Sequence, residues 1–383
     1  MVDTVLPGLE QAYGATVHPD GISVYVTHLT NPGTVSVIDT TTNKVADTIT
    51  VGIAPSGIAV HPDGNTVYVV NSQSETLSVI DSTTNTVVDT VTLGINPIGV
   101  AVHPDGGEVY VTNQGQGNPL VTVIDTDTNT VVDTIAMGSS PLGIAVHPDG
   151  DIIFVADFVD NNVSVIDTAT NTVVDTVPVG IQSTGVAVHP GGSTVYVTNR
   201  DSNTVSVIGA ATNTVVATVP VGDVPFGIAV HPDGSTVYVA NQNSHTVSVI
   251  DTATNTVVDT VAVGVHPTAF GQFIGPLPSL TLSPASGTYV TTQGFDLTLI
   301  AKSVTLSVTG GTATLDDVDI SASLRSCIVP GTLISGGQTF RCPNITGEFL
   351  GEDTHTLNVT LDLSDGSSVS DSVTWEVVGN TEP

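Results

Sequence analysis

Hydrophobic and polar residues alternate in short runs that recur along the first two-thirds of the chain. The pattern is clearest at residues 57–94, GIAVHPDGNTVYVVNSQSETLSVIDSTTNTVVDTVTLG. Four alternating runs can be separated there, and we label them a (57–61), b (66–71), c (76–81) and d (86–93). Alternation with a period of two and enrichment in Val, Ile and Thr predict β-strands. Each unit therefore predicts one four-stranded antiparallel sheet.

The unit repeats about every 42 residues, marked by a tetrad between runs a and b. The tetrad His-Pro-Asp-Gly begins at His18, His61, His103, His147 and His231, and His-Pro-Gly-Gly begins at His189. Proline presets φ for a turn and glycine supplies its positive-φ corner. Radial repetition of four-stranded sheets of this length is typical of β-propeller blades.

The motifs within the unit resemble those of a known family. Tyr-Val-Thr-Asn occurs at 110–113 and 196–199, Thr-Val-Ser-Val-Ile-Asp at 246–251 and Thr-Asn-Thr-Val-Val-Asp-Thr at 170–176. Over about residues 2–275 the chain resembles the YVTN-repeat β-propeller family. The resemblance implies a secreted or surface-layer protein, often with an appended sandwich domain and often without a defined activity. A few relatives in the wider propeller group are lactonases or lyases.

The number of blades depends on how the two ends of the repeat region are interpreted. Six complete units run from about residue 11 to 264. Val2-Asp3-Thr4-Val5 before them matches run d, and Pro-Thr-Ala-Phe-Gly-Gln-Phe at 267–273 resembles run a. The fold class is therefore all-β, with a propeller domain over residues 1–275 of six complete four-stranded blades plus a partial seventh. A closed six-bladed ring is the alternative.

The repeat stops after residue 275, and a second β domain is predicted over residues 279–383. About seven short alternating segments suggest an immunoglobulin-like β-sandwich, with a hairpin at Asp365-Gly366. The two cysteines, Cys327 and Cys342, both fall in this region. They lack the further Cys or His partners of a metal site, so we expect a disulfide.

Composition narrows the classes of function. Lys and Arg number 5 against 37 Asp and Glu, giving a net charge of −32. Such a surface disfavours nucleic acid and anionic membranes, since both are bound through basic side chains. The chain also has no apolar run long enough for membrane insertion. We expect an extracellular or cell-surface protein whose acidity maintains solubility, or reflects a high-salt habitat or a cation-rich surface.

Two sets of repeated polar residues resemble candidate metal ligands, but a role in turns explains them more simply. The tetrad histidines occupy one turn position in every unit, where a ring nitrogen can accept a backbone N–H. The aspartates that end run c recur at the c–d turn, where they can cap backbone N–H groups; they are Asp39, Asp81, Asp125, Asp167 and Asp251. We interpret both sets as turn-forming rather than metal-binding.

Departures from the repeat are better candidates for a site. In a propeller blade the b–c loops and d–a linkers emerge on one face. Two b–c loops on that face are longer than the rest, at 28–33 and 114–120. Variable loops on a rigid scaffold commonly carry binding. The candidate ligand-binding residues on this face are His28, Asp157, Phe158, Arg200, Asp201, Phe226, His245 and His266, with Asp160 and Asp223 beside them.

Arg200 could anchor an acidic or sugar group, with a salt bridge to Asp201 or a neighbouring loop as the simpler interpretation. His28, His245 and His266 could meet near the ring closure and hold a divalent metal ion, although the main expectation is that the protein has no cofactor.

The sequence therefore predicts a non-enzymatic binding or structural protein, with adhesion or assembly as its role. The expected partner is a protein or glycan at the cell surface, or another copy of the chain, and neither nucleic acid nor membrane insertion is expected. No G-x-S-x-G, phosphate-binding glycine loop or H-E-x-x-H motif is present, which makes an enzyme uncertain and less favoured. The alternatives are a metal-assisted, lactonase-like hydrolase or lyase at the centre of the same face, and a lectin-like glycan binder.

Overall fold

The computed structural model describes residues 12–274, apart from positions 116 and 270, and the backbone of strands between residues 279 and 378. Every regular element in these ranges is a β-strand. The chain forms two compact units, one ending at Pro276 and the other beginning its main segment at Leu277.

The first unit contains six sheets of four antiparallel strands, each formed by four consecutive strands. Blades 1 to 3 consist of β1 Ala12–Val17, β2 Ser23–His28, β3 Gly33–Asp39, β4 Lys44–Val51, β5 Pro55–Val60, β6 Thr66–Asn71, β7 Thr76–Asp81, β8 Thr86–Thr92, β9 Pro97–Val102, β10 Glu108–Asn113, β11 Leu120–Asp125 and β12 Thr130–Ala136. Blades 4 to 6 consist of β13 Pro141–Val146, β14 Ile152–Asp157, β15 Asn162–Asp167, β16 Thr172–Pro178, β17 Ser183–Val188, β18 Thr194–Asn199, β19 Thr204–Gly209, β20 Thr214–Pro220, β21 Pro225–Val230, β22 Thr236–Asn241, β23 Thr246–Asp251 and β24 Thr256–Ala262. The predicted propeller of six complete blades is confirmed.

The outermost strand of each blade carries a β-bulge that the alternation alone does not reveal. In blade 2, Val79 pairs with Asp89 but Ile80 pairs with Val87, so Val88 has no partner across the ladder. The Asp89 carboxylate accepts the N–H of Thr90 at 2.7 Å. A bulge increases local twist and makes a strand a poorer template for further pairing. The bulge therefore hinders the pairing of another strand with this edge, at which Val88 is exposed.

The c–d turns are capped by the aspartates expected for that role. Asp81 Oδ1 accepts the backbone N–H groups of Thr83 and Thr84, at 2.8 and 2.9 Å. These bonds favour the ionised carboxylate and lower the pKa of Asp81, the Thr84 N–H contributing most. Asn85 follows with a φ of 52°, a left-handed conformation that Asn tolerates better than most residues. The turn interpretation of these aspartates is confirmed.

Neighbouring blades are joined by apolar clusters that repeat five times around the ring. Between blades 2 and 3, Tyr68, Leu77 and Val79 pack against Val109 and Val111. The equivalent positions form the other four clusters, between blades 1 and 2, 3 and 4, 4 and 5, and 5 and 6. The propeller core is thus divided between blade interfaces, because aliphatic side chains of a twisted sheet project from both of its faces.

Residues 268, 269, 271 and 272 occupy a seventh position in the ring, between blade 6 and blade 1. Thr268 Oγ1 donates to the carbonyl of Tyr13 at 3.0 Å, as Thr184 Oγ1 does to Phe226 at 3.3 Å between blades 5 and 6. The backbone N–H of Val17 donates to Gln272 O at 3.2 Å. Gly227 faces the carbonyls of Thr268 and Ala269 so closely that a Cβ there would lie 2.1–2.2 Å from them. This segment takes the place of a seventh strand a.

The second unit is described by its backbone strands alone. They are β25 Ser279–Ser283, β26 Thr288–Val290, β27 Phe295–Lys302, β28 Val304–Leu315, β29 Val318–Asp319, β30 Leu333–Ser335, β31 Gln338–Ile345, β32 Thr354–Leu363 and β33 Ser368–Val378. One sheet has the order β25-β27-β31; the other has the order β26-β33-β32-β28-β29, with β30 also paired to β28. The β32–β33 hairpin around Asp365-Gly366 is confirmed by pairing of Asp362 with Ser368. The Cys327–Cys342 disulfide lies outside the described side chains, and both it and the sandwich stay predictions.

Candidate binding face

The b–c loops and d–a linkers lie together on one face of the propeller, which we call the loop face. The backbone N–H of Ser72 in a b–c loop donates to Ala54 O in a d–a linker at 3.0 Å. Gln114 and Asn96 form the same bond one blade further on, again at 3.0 Å. The a–b and c–d turns meet on the opposite face, where Ser82 Oγ donates to Gly64 O at 2.6 Å. The predicted division of the turns between two faces is confirmed.

Two of the predicted site residues occupy the same structural position, at the end of strand b on the loop face. Strand b of most blades ends in a buried Asn, and Asn71 Nδ2 donates to Thr76 Oγ1 and Ser78 Oγ at 3.1 and 2.9 Å. His28 fills this position in blade 1 and Asp157 fills it in blade 4. His28 is 2% exposed, and its Nε2 lies 3.0 Å from Ser36 Oγ in the same blade. It is placed to join strands b and c rather than to reach a ligand.

Asp157 is a buried carboxylate at a position where four of the other five blades have an asparagine. It is 1% exposed, and its Oδ2 accepts from Ser164 Oγ at 2.6 Å. Burial raises the pKa of Asp157 to about 7; the Ser164 hydrogen bond opposes that change and the charge of Asp160 adds to it. Its other oxygen has no hydrogen-bond partner. This carboxyl group therefore changes its charge near neutral pH.

Arg200 has partners in its own b–c loop and in the adjacent d–a linker. Its Nη1 donates to Gln182 Oε1 at 2.8 Å and lies 3.8 Å from a carboxylate oxygen of Asp201. The side chains of Arg200 and Asp201 are both partly exposed. The contacts agree with the simpler interpretation given for Arg200, a bond to a neighbouring loop and an ion pair with Asp201.

His245 and His266 are in contact, with ring centroids 4.9 Å apart in an edge-to-face arrangement. The backbone N–H of His266 points to His245 Nδ1 at 3.1 Å. Nδ1 also lies 3.1 Å from Gln242 O, so the ring accepts the His266 N–H in one tautomer and donates from Nδ1 to Gln242 O in the other. Asn161 Oδ1 receives the equivalent N–H of Gln182 at 2.7 Å in another blade. His245 thus connects loop to linker as an asparagine does elsewhere.

The three histidines named as an alternative metal site do not form one group in the described structure. His245 and His266 touch each other, whereas His28 contacts Ser36 within blade 1. Across residues 12–274, with the two gaps noted, no group of three or more His, Cys, Asp or Glu side chains is placed to hold a metal ion. The described region also lacks a helix long and apolar enough to cross a membrane.

The two predicted aromatic residues lie at different points on the loop face. Phe158 is half-buried, and its backbone N–H donates to Ser140 O at 3.1 Å. Phe226 meets Tyr13 edge to face, with ring centroids 5.8 Å apart. The second contact joins strand a of blade 6 to strand a of blade 1, so Phe226 contributes to closing the ring.

Exposed aliphatic residues on the loop face were not predicted from the sequence. Ile95, Ile181 and Val265 lie in d–a linkers and Val159 lies in a b–c loop, with exposures from 55% to 78%. Their sequence signal is weak: an aliphatic residue follows the linker glycine at Ile53, Ile95, Ile181 and Val265, and a polar one at Ser139 and Asp223, so the position alone does not reveal exposure. Ile95 also borders a cleft of about 870 Å³ formed by the b–c loop of blade 3, with Gln114 and Pro119, and by the d–a linkers before and after that blade.

The tetrad histidines lie on the face opposite the loop face, and five of the six join adjacent blades. Nε2 of His61 lies 2.9 Å from Gly106 O in blade 3, and because a carbonyl can only accept, the ring donates. His18, His103, His147 and His189 make the same bond to the following blade, at 2.7–3.1 Å. The predicted turn role is confirmed as well, since Gly191 N–H donates to His189 Nδ1 at 3.0 Å. The link between blades is an addition that a single repeat could not reveal.

Comparisons with known proteins agree on the propeller. The family described as "Lactonase, 7-bladed beta-propeller" matches residues 168–263, about a quarter of the chain. Hydrazine synthase from Kuenenia stuttgartiensis is similar in structure, with a TM-score of 0.62 and 23% identity, covering 70% of this chain and 91% of that one. No curated protein sequence matches the chain.

Two further structures have the same kind of similarity. A functionally unknown protein from Desulfotomaculum acetoxidans DSM 771 has a TM-score of 0.60 and 19% identity, covering 68% of this chain and 88% of its own. The β-propeller domain of Cps50 (Swd1) from Myceliophteria thermophila has a TM-score of 0.58 and 14% identity, with the same coverages of 68% and 88%. At such identities the similarity establishes the fold and leaves function to the features of this chain.

Proposed function

We propose that the protein is a non-enzymatic, extracellular or cell-surface binding protein that contacts a protein partner through the loop face. The observation that carries the proposal is the set of exposed aliphatic residues on that face, Ile95, Val159, Ile181 and Val265. Apolar side chains exposed on loops of a rigid scaffold favour protein contacts, because removing them from water stabilises the complex.

The charges of the loop face indicate the kind of partner. Asp160, Asp201 and Asp223 are exposed there, and the net charge of the chain is −32. A face that carries both acidic and apolar side chains complements a partner with Lys or Arg beside apolar residues, and attraction between them would speed association. A glycan partner lacks such support from the described contacts, since Arg200 is already paired with Gln182 and Asp201.

A matched pair of substitutions tests this proposal. Ile181 on the loop face and Val174 on the outer strand of blade 4 are 55% and 56% exposed. Labelled wild-type protein, Ile181→Asp and Val174→Asp would be titrated onto whole cells of the source organism. We expect Ile181→Asp to weaken binding at least tenfold and Val174→Asp to leave it within about twofold, since a charge in the centre of an apolar contact is costly. Equal binding by all three proteins would contradict the proposal.

A lactonase-like hydrolase is the second candidate, favoured by the family match over residues 168–263. Its chemistry would use a divalent metal ion at the loop face, with His245 and His266 as the nearest pair of ligands. Elemental analysis of purified protein, together with a lactone-hydrolysis assay, separates the two candidates. One tightly bound metal ion per chain, lost together with hydrolysis in His245→Ala, would replace the binding proposal. Metal-free, inactive protein that still binds cells would support the binding proposal.

A further inference from the structure

Blade 4 departs from the repeat at one corner of the loop face, where its b–c loop meets the d–a linker that precedes it. Four residues at this corner have an oxygen in the side chain and differ from their counterparts in other blades. They are Ser139, Asp157, Asp160 and Asn162, where blades 2 and 5 both have Ile, Asn, Ser and Thr. We call these four residues the blade 4 corner. Since blades 2 and 5 form the same sheet without them, the four residues are candidates for a further role.

The four positions converge, as the corresponding residues of blade 5 show. Asn199 Nδ2 donates to Thr204 Oγ1 at 3.0 Å, and Asn199 Oδ1 accepts the backbone N–H of Gly180 at 3.1 Å. Ser202 Oγ accepts the backbone N–H of Ile181, the next residue of the linker, at 2.8 Å. The end of strand b, the b–c loop, the start of strand c and the linker therefore lie within hydrogen-bond distance of one another at this corner.

In blade 4 the same corner has oxygen atoms that no donor satisfies. Asp157 pairs with Asn162 across strands b and c, but an ionised carboxylate has no N–H with which to bond its neighbour as Asn199 does. Asp157 Oδ1, Asn162 Oδ1 and Ser139 Oγ are buried and have no hydrogen-bond partner in the described structure. Asn71 also leaves its Oδ1 unpaired, but that oxygen belongs to a neutral amide. The blade 4 corner thus combines unpaired oxygens with charge.

The charge at the corner is negative. Asp157 is 1% exposed; burial raises its pKa, and the negative charge of Asp160 raises it further. Asp160 Oδ2 also lies close to the linker, 2.8 Å from the position that a Cβ would take on Gly138. A buried carboxylate beside a second carboxylate is costly unless a proton or a cation neutralises it. The corner therefore either keeps a proton on Asp157 or binds a cation.

The donor atoms fit calcium better than a transition metal. They are carboxylate, amide and hydroxyl oxygens, which hard cations prefer, whereas transition metals favour nitrogen and sulfur ligands. Calcium accepts an irregular set of about six to eight oxygens, water included, while magnesium demands near-octahedral geometry. Asp160 is exposed and Ser139 borders the cleft beside blade 3, so a hydrated ion can reach the corner from solvent.

We propose that the blade 4 corner binds one calcium ion. Asp157 Oδ1 and the carboxylate of Asp160 supply the negative charge, and Asn162 Oδ1 and Ser139 Oγ supply neutral ligands. Water molecules complete the coordination. The Ser164 hydrogen bond to Asp157 Oδ2, at 2.6 Å, holds the carboxylate in place without using the oxygen that faces the ion.

The ion ties the b–c loop of blade 4 to the linker before it. In the cation-free protein a proton neutralises Asp157 instead, which agrees with its raised pKa. The ligands are separate from His245 and His266, the pair considered for the hydrolase candidate. The proposal also stands independently of the proposed function, because it concerns binding of an ion within one blade and requires no protein partner.

Calorimetric titration of calcium chloride into the full chain, after treatment with EDTA and desalting, tests the proposal. Asp157→Asn and Asp160→Ser restore residues that the repeat itself uses, so both variants should fold, which circular dichroism checks. Asp149→Asn is the matched control, since it removes the same charge from a 77% exposed side chain on the opposite face of blade 4. We expect one saturable site with a Kd of about 0.1–1 mM in the wild type. Each corner variant should weaken it at least tenfold, and the control should leave it within twofold.

Thermal unfolding at pH 8 provides a second measurement. A ligand that binds the folded state stabilises it, so about 10 mM calcium chloride should raise the thermal midpoint of the wild type by several degrees and that of the two corner variants by much less. Each protein is compared with itself in EDTA, because Asp157→Asn also changes the stability of the cation-free protein. Sodium chloride at the same ionic strength controls for screening of the acidic surface.

Three results would overturn the proposal. They are absence of saturable binding by the wild type up to about 10 mM calcium, equal binding by the wild type and the two corner variants, and an equal rise of the thermal midpoint with sodium chloride. The first would mean that a proton alone neutralises Asp157. The other two would mean that calcium only screens the charge of the acidic surface.

Discussion

The interface between blades 5 and 6 and the boundary where blade 6 faces blade 1, which we call the seam, present nearly the same side chains to different surroundings. Strand c reads Thr-Val-Ser-Val-Ile in both blade 5 and blade 6. Val207 of blade 5 is completely buried, but Val249 of blade 6 is partly exposed. Burial at these positions is therefore determined by the neighbouring blade and cannot be deduced from the repeat's own sequence.

This difference has an energetic consequence. In repeat proteins, stability is approximately a sum of terms for each repeat and terms for each contact between neighbours. Blades 2 to 5 each have two complete interfaces, while blades 1 and 6 each have one complete interface and one side at the seam. Blades 1 and 6 should consequently open before the others.

The largest expected effect on stability comes from Asp157, the one buried carboxylate at the end of a strand b in the described blades. Asp157→Asn restores the neutral side chain found at Asn71, Asn113, Asn199 and Asn241. The pKa of Asp157 near 7 lies above its ordinary value of 3.8, so the folded state binds the proton more tightly than the unfolded state does. Stability contributed by this group is complete below about pH 4 and is lost as the pH rises through 7.

Asp157→Asn should accordingly raise the free energy of unfolding by up to about 4 kcal/mol at pH 8 and change it little at pH 4. Urea denaturation at the two pH values measures both effects. Parallel pH profiles for the wild type and Asp157→Asn would show that this carboxylate is adequately solvated.

The second-largest expected effect compares the stability lost by truncating the same valine at the interface of blades 5 and 6 and at the seam. Val207→Ala removes two methyl groups from a completely buried site and should cost about 2–3 kcal/mol. Val249→Ala makes the same change at the seam and should cost less than about 1 kcal/mol, because its side chain already contacts water. Chemical denaturation of both variants checks the ratio. Equal losses would mean that the seam is covered.

Strands and turns were predicted well because each repeat encodes them locally. Strands b and c of blade 2 were predicted at 66–71 and 76–81, the bounds that the structure has. Strand a was predicted from 57, but begins at Pro55, because pairing of Pro55 with Asn71 depends on the neighbouring strand.

The site was predicted less well, for a physical reason. Residues that depart from the repeat pointed to the loop face. Their identity alone could not distinguish side chains that hold the fold together from those that are available to a partner. His28 and Asp157 proved buried, Arg200 paired and His245 joined to a linker. Such roles depend on contacts with segments about 7 to 21 residues away along the chain. The exposed Ile and Val side chains were missed although Ile95, Ile181 and Val265 recur after the linker glycine, because an aliphatic residue at a repeated position predicts burial.

A smaller effect is expected from the histidine bonds between blades. His147 Nε2 donates to Gly192 O in the a–b turn of blade 5 at 2.8 Å, whereas no a–b turn follows blade 6 within residues 12–274 to offer His231 such a carbonyl. His147→Ala should cost about 1–2 kcal/mol, and His231→Ala about 0.5 kcal/mol or less. Urea unfolding of the pair measures the difference, and a larger loss for His231→Ala would contradict it.

Hydrogen–deuterium exchange resolved by peptide tests the account most directly. Residues 204–208 and 246–250 have the same sequence, Thr-Val-Ser-Val-Ile, so the intrinsic exchange rates of their amides are closely similar. We predict that the amides of β23 in blade 6 exchange at least tenfold faster than those of β19 in blade 5, because the seam lowers the free energy of local opening. Equal protection of the two strands would contradict the open seam and the partial seventh blade on which the account rests.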